Sequence, residues 1–167
     1  GGDGPFDETL ASELKYDHLH STVEKNLYGT IYSCVEVSPY MKDQGSGDIV
    51  TVASRAGRHA REDGSYAHYG AAKAAIIMYS KYLAQDLADY EINVNCIAPG
   101  PIKTGRIVDK IRESSNDSMA SREASIPVGR LGSPTDCAKT VEFLISDDSD
   151  FITGAVIPID GGIVRGL

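Results

Sequence analysis

Three short runs of β-branched and apolar residues, each set apart from the next by a stretch long enough for a helix, constrain this chain most. Asp48 to Ala53 (Asp-Ile-Val-Thr-Val-Ala), Glu91 to Ala98 (Glu-Ile-Asn-Val-Asn-Cys-Ile-Ala) and Ala155 to Ile159 read as strands. Between the first two runs, Tyr66 to Asp89 is free of Pro and rich in Ala, Ile, Leu and Met, which predicts a helix. Between the second and third, Pro134 directly after Ser133 opens a shorter helix to Ile145. Strands that alternate with helices of this length predict a parallel α/β sheet. In such sheets ligands sit beyond the carboxyl ends of the strands.

The remaining segments fill in one domain over residues 1–167. Residues 1–8 hold three Gly and one Pro and read as turns. From Leu14 to Met41, apolar residues at Leu19, Val23, Leu27, Ile31, Cys34, Val35 and Val37 recur at helical spacing. Pro39 and the cluster Gln44-Gly45-Ser46-Gly47 are expected to close that helix. Ser54 to Ser65 is a polar loop, and 104–125 is polar with scattered apolar positions, the pattern of a mobile helical flap.

Charge narrows the partners. With 24 acidic against 16 basic residues, a net charge of -8 opposes general binding to nucleic acid or to an anionic membrane, since both are polyanions. No apolar run reaches the roughly 18 residues that would span a bilayer, and the first residues lack the basic and apolar regions of a signal peptide. Cys34, Cys96 and Cys137 are odd in number, widely spaced and set in apolar runs. They read as reduced packing residues of a cytoplasmic protein, with neither a disulfide frame nor a metal site.

The candidate chemistry lies at the predicted strand ends. Tyr69 and Lys73 are four apart on the long helix and therefore share a face, one turn from each other. A tyrosine hydroxyl, with its ordinary pKa near 10, is a poor proton shuttle at neutral pH. A neighbouring ammonium favours the phenolate and brings the group towards the working range of an acid/base catalyst. Taken alone, the pair is equally a packed tyrosine beside a solvated lysine. Ser54 ends the first strand, where a plain turn residue is the commoner reading. Asn26 interrupts an apolar helix, where an amide needs partners whether it is structural or functional. Pro99-Gly100 terminates the second strand.

Together these segments resemble the short-chain dehydrogenases/reductases, a Rossmann-fold family. Asn26-Leu27-Tyr28-Gly29 resembles the family's Asn-x-x-Gly segment, and Ile49 through Ser54-Arg55-Ala56-Gly57 its serine-bearing strand. Tyr69-Gly70-Ala71-Ala72-Lys73 matches Tyr-x-x-x-Lys, and Asn95 through Pro99-Gly100 to Thr104 matches Asn-x-x-x-Pro-Gly-x-x-x-Thr. Ile126-Pro127, Gly129-Arg130, Ile152-Thr153-Gly154 and Asp160-Gly161-Gly162 resemble the family's end, particularly in 3-oxoacyl-carrier-protein reductases. The matches occur in family order and cover essentially the whole chain.

The fold this implies is the C-terminal part of a doubly wound parallel sheet. Absent from these residues are the family's Thr-Gly-x-x-x-Gly-x-Gly turn and its Asn-Asn-Ala-Gly strand. Residues 1–8 resemble the family segment directly after that strand, so the chain is expected to be a fragment. The loop between Ser54 and Tyr69 is a couple of residues longer than the family's usual one. The resemblance implies hydride transfer between NAD or NADP and a small carbonyl or secondary alcohol. Tyr69 would move the proton, Ser54 hydrogen-bond the reacting oxygen, and Lys73 serve both Tyr69 and the nicotinamide ribose. Asn26 would hold a relay water, while Pro99, Gly100, Ile102 and Thr104 would lie at the nicotinamide end and the 104–125 flap would close over substrate. Oxoacyl thioester, sugar, polyol and steroid substrates all stay open. Arg55, Arg58, His59 and Arg61 form a basic run beside the site, either a solvated loop or a contact for an anionic substrate or carrier. Two other readings are a catalytically inactive fragment and an oligomerisation module built on the long helices. Full-length relatives imply a homo-oligomer.

Overall fold

The middle strand anchors the molecule. In the computed structural model, which describes residues 9–105, 109 and 118–163, that strand, β2 (Ile92–Pro99), is buried at Ile92 and from Val94 to Ala98. It lies between β1 (Gly47–Val52) and β3 (Val156–Ile159) in the order β1-β2-β3, and both pairings are parallel. Ile49 faces Val94 and Thr51 faces Cys96 on one side, and Ile97 faces Ile157 on the other. A parallel strand covered on both faces is apolar along nearly its whole length. β2 (Ile92–Pro99) departs from that rule at Asn93 and Asn95.

Asn95 is 1% exposed and holds the chain as it enters β3. Its Nδ2 donates to the Ile152 carbonyl at 2.7 Å, and its Oδ1 accepts from the Ala155 N–H at 3.0 Å. Asn95→Leu is expected to destabilise the protein by about 2–4 kcal/mol, because two backbone groups lose their partners in a buried setting. Urea unfolding with an unshifted midpoint would refute that assignment.

The long helix, α3 (Ala67–Leu87), buries Ala72, Ile76, Leu83, Ala84 and Leu87 along one face. Ile76 packs with Ala53 and Cys96, while Leu83, Ala84 and Leu87 pack with Ile49, Ile92 and Val94. These contacts lock α3 onto β1 and β2 and so fix where its first turns stand relative to the strand ends. Downstream, α4 (Met119–Ala124) and α5 (Pro134–Leu144) follow. Ser133 and Asp136 form a capping box at the start of α5, and Arg130 clamps the Asp136 carboxylate at 2.8 and 3.1 Å. That clamp and the Ser133 donors hold the Asp136 carboxyl well below the usual carboxylate range.

The N-terminal helix begins two residues later and ends three residues later than its spacing predicts, and it is built differently. It runs without a break from α1 (Tyr16–Val23) through a π-helical turn (Glu24–Tyr28) into α2 (Gly29–Gln44). Pro39, expected to help close the helix, sits inside it. A proline there removes one N–H, leaving the carbonyl four residues earlier without its usual partner. That residue, Val35, is 55% exposed, so the loss falls on the solvent side of the helix. Termination falls instead to Gly45, whose φ of 69° is open to glycine at little cost. The predicted strands shift by one residue at their ends. Residues 1–8 and half of the expected flap (106–108 and 110–117) lie outside the described residues. Among the described residues no helix is long and apolar enough to cross a membrane.

Candidate active site

The site is built where β1 ends against the first turns of α3. Past Val52 the chain stays extended to Ser54, whose Oγ accepts from the Ala56 N–H at 3.2 Å and starts a 3-10 turn, Arg55–Gly57. This turn lies directly on the backbone of α3. A Cβ on Gly57 would stand 2.6 Å from the Lys73 carbonyl carbon, and one on Gly70 would stand 3.0 Å from the Ala56 oxygen. Gly57 and Gly70 are therefore packing requirements that set Ser54 beside the helix carrying Tyr69 and Lys73. The signal for them was only a glycine inside each motif.

Lys73 is 8% exposed, and its Nζ donates to the Val52 carbonyl at 3.0 Å, tying α3 to the end of β1. The same Nζ stands 5.7 Å from the centre of the Tyr69 ring. Burial pushes the Lys73 ammonium below the ordinary lysine value, and the neighbouring Cys96 acts in the opposite direction. The same strand and helix are joined by a buried polar contact whose second member, Ser80, lies outside the sequence motifs. Thr51 Oγ1 and Ser80 Oγ share a hydrogen bond of 2.7 Å, and Ser80 also donates to the Ile76 carbonyl at 2.7 Å. Ser80 lies seven residues beyond Lys73, on the same helix face, and this spacing was the available clue.

Asn26 sits in the π-helical turn and is 9% exposed. Its Nδ2 donates to the Thr22 carbonyl at 3.0 Å, and its own carbonyl accepts from Thr30 Oγ1 at 3.1 Å. A π turn widens a helix by one residue and recurs at functional sites. Asn26 and Lys73 both line a groove of ≈ 460 Å³ along β1, together with Thr30 and Val52.

The Pro99–Thr104 segment is positioned from the other side of the sheet's carboxyl end. Gly100 donates to the Ile159 carbonyl at 3.0 Å, and a Cβ there would meet the Asp160 Cβ at 2.8 Å. Ile102 forms a parallel bridge with Gly132, and the Lys103 N–H donates to the Gly132 carbonyl at 2.7 Å. Thr104 is exposed and makes no hydrogen bond among the described residues. The structure thus joins Asn26 to Lys73, Lys73 to Tyr69, and the Ser54 turn to the same helix. Among the described residues it gives no contact that joins Ile102 or Thr104 to them.

Comparison with known proteins places the chain among reductases and dehydrogenases. A family model described as enoyl-(acyl carrier protein) reductase matches residues 4–164. A cyclohexanol dehydrogenase from Rhodococcus sp. (strain TK6) is 48% identical over 163 residues, covering 98% of this chain and 59% of that protein. A 3-oxoacyl-[acyl-carrier-protein] reductase from Thermotoga maritima is 37% identical over 157 residues, with 94% of this chain and 61% of that protein covered. Among solved structures, ElxO with NADP bound superposes with a TM-score of 0.85 at 32% identity, over 92% of this chain and 61% of that one. The chain spans about three fifths of the length of these relatives, at 59% and 61%.

Proposed function

The chain belongs to the short-chain dehydrogenase/reductase family, and we propose that it carries the acid/base centre for reversible hydride transfer between NAD or NADP and a small carbonyl or secondary alcohol. The observation that carries this reading is the Tyr69–Lys73 pair, held at the carboxyl end of β1 by the Lys73 bond to Val52. Relatives that act on cyclohexanol and on an oxoacyl carrier protein share the reaction type and differ in the molecule they reduce or oxidise. The substrate class is accordingly a carbonyl or secondary alcohol and no narrower.

The residues present fit one end of a nicotinamide dinucleotide. An ammonium has three donors, and among the described residues the Val52 carbonyl is the one hydrogen-bond acceptor of Lys73. Two donors are left for ribose hydroxyls in the groove that Lys73 lines. When bound, the dinucleotide gives or takes the hydride. During reduction Tyr69 Oη gives its proton to the carbonyl oxygen, and during oxidation it takes the hydroxyl proton. Ser54 Oγ accepts from Ala56, which leaves its own proton free to donate to that same oxygen as charge develops there. Lys73 places a positive charge beside the Tyr69 ring. Asn26, on the same groove, holds a water through which the proton lost by Tyr69 is replaced. Pro99, Gly100, Ile102 and Thr104 form the nicotinamide-end wall.

The proposal includes a homo-oligomer and a cytoplasmic setting. Tyr32, Met78 and Tyr82 are 63, 53 and 72% exposed on α2 and α3, an apolar surface suited to a second copy. Cys34 and Cys96 are buried and Cys137 is half-buried, as suits cysteines that pack as small apolar residues. A second reading, a module that associates without turning over substrate, is favoured by the same exposed faces. By itself the 167-residue chain is expected to bind NADH and NADPH weakly, because the pyrophosphate-cradling glycine turn of the family is not among its residues. Calorimetric titration with each dinucleotide, run beside light scattering, checks this. Micromolar affinity in a stable monomer would require another cofactor site. The hydride-transfer reading itself is tested by following NAD(P)H absorbance with cyclohexanone and an oxoacyl thioester, in a protein that joins this segment to a dinucleotide-binding half.

A further inference from the structure

We propose that Asp63 is a positioning residue for Tyr69: with Arg61 it clamps the turn that enters α3 and so fixes the phenol that moves the proton. This rests on the reading of Tyr69 as the proton-moving group. The chain enters α3 through Tyr66, whose φ of 62° is rare for a bulky side chain and lasts only where its surroundings impose it. Tyr66 is 9% exposed, and its carbonyl accepts from the Gly70 N–H at 2.9 Å, which closes the first turn of the helix. Tyr69 stands inside that turn. Lys73 is held separately, by its bond to the Val52 carbonyl. The two members of the pair are thus anchored from different sides, Lys73 from β1 and Tyr69 from the entry to α3.

Asp63 is the hub of that entry. Its Oδ1 accepts from the Arg61 Nε at 3.0 Å, the Ser65 N–H at 3.1 Å and the Ser65 hydroxyl at 2.8 Å, while its Oδ2 accepts from the Arg61 Nη2 at 2.6 Å. One carboxylate therefore joins Arg61 to Ser65, the residue directly before Tyr66. The same guanidinium lies over the Tyr66 ring, 5.0 Å from its centre. Behind the turn, Ser65 forms an antiparallel bridge with Leu10, and the Ala11 N–H donates to the Gly64 carbonyl at 3.2 Å. The donors on Asp63, Arg61 foremost, hold its carboxyl well below the usual carboxylate range, so it stays ionised at neutral pH. Arg61 and Asp63 are themselves exposed, and an exposed ion pair adds little to global stability. The work of the clamp is local. Without it Tyr66 is free to relax towards negative φ, and the turn that carries Tyr69 shifts or frays while Lys73 keeps its place.

Two readouts test this, and the first needs no catalysis. By hydrogen exchange on the full chain, Asp63→Ala is expected to speed exchange of the Gly70 amide about tenfold or more and to leave that of Leu83, deep in α3, unchanged. In the protein that joins this segment to a dinucleotide-binding half, the same variant should lower kcat about tenfold or more, with dinucleotide affinity and thermal midpoint close to the parent's. Arg61→Ala should act alike, and the double variant should lose no more than either single one, since both remove one clamp. Asp63→Asn keeps an oxygen for the Ser65 donors and should recover part of the rate. A kcat within about twofold of the parent's, losses that multiply in the double variant, or a loss shared equally by kcat and dinucleotide affinity would overturn the proposal. So would unchanged exchange at Gly70. A parent that turns over no substrate, beside faster Gly70 exchange in Asp63→Ala, would count against the hydride-transfer reading and leave the clamp standing.

Discussion

Tyr69→Phe, in a protein joining this segment to a dinucleotide-binding half, is expected to lower turnover by roughly 10²–10⁴-fold and leave dinucleotide affinity nearly unchanged. Only the hydroxyl is removed, and the ring keeps its place beside Lys73 Nζ, 5.7 Å from its centre. Tyr66 is the internal control. It lies three residues earlier, is 9% exposed, and its ring faces the Arg61 guanidinium at 5.0 Å. Residue 70, four positions after Tyr66, is Gly, so Tyr66 lacks a lysine at the spacing that Tyr69 has. Tyr66→Phe should retain most activity. Steady-state rates with NADH and NADPH, together with fluorescence titration of each dinucleotide, separate the two variants. Full activity in Tyr69→Phe with loss in Tyr66→Phe would move the acid/base role to Tyr66.

The second large effect is expected at a residue with no chemistry of its own. Gly57→Val should cost about 3 kcal/mol or more and also remove activity, since the inserted side chain has no room to enter. The atoms it would meet, the Lys73 carbonyl carbon at 2.6 Å and the Ala74 nitrogen at 2.7 Å, are backbone of α3 and cannot rotate away. Relief requires the Arg55–Gly57 turn to lift off the helix, and Ser54, which caps that turn, moves with it. Gly132→Ala is the contrasting case. There the near atom is the Ile102 Cδ1 at 2.5 Å, the end of a side chain that can change rotamer. Denaturant midpoints for the two variants should differ clearly. Equal midpoints would show that the turn does not depend on its contact with α3.

Much of the architecture was written locally. The three β-branched runs became parallel strands within a residue of their predicted ends, because pattern and flanking turn residues act over a few positions. Ser133-Pro134 opened a helix, and Gly45 closed one, for similarly local reasons. The Tyr69–Lys73 spacing was enough to place both residues on one helical face. Pro39 shows where local reasoning ends. Whether a proline stops a helix depends on whether the carbonyl it strands is buried, and the exposure of Val35 is a tertiary fact.

The sequence by itself determined which side chains could carry acid/base chemistry and the order of elements that presents them. Only the tertiary structure decided how they are held. Lys73 bonds to a carbonyl 21 residues earlier, Asn95 to a carbonyl 57 residues later, and Thr51 to a hydroxyl 29 residues away. Such pairings arise from strand register and from the seating of α3, and no short window of sequence contains either. Gly57 and Arg58 make the same point side by side. One is a glycine because another backbone passes within contact distance, and the other is an arginine whose guanidinium the fold leaves without a partner among the described residues. Both properties arise from what the chain brings next to them after it has folded.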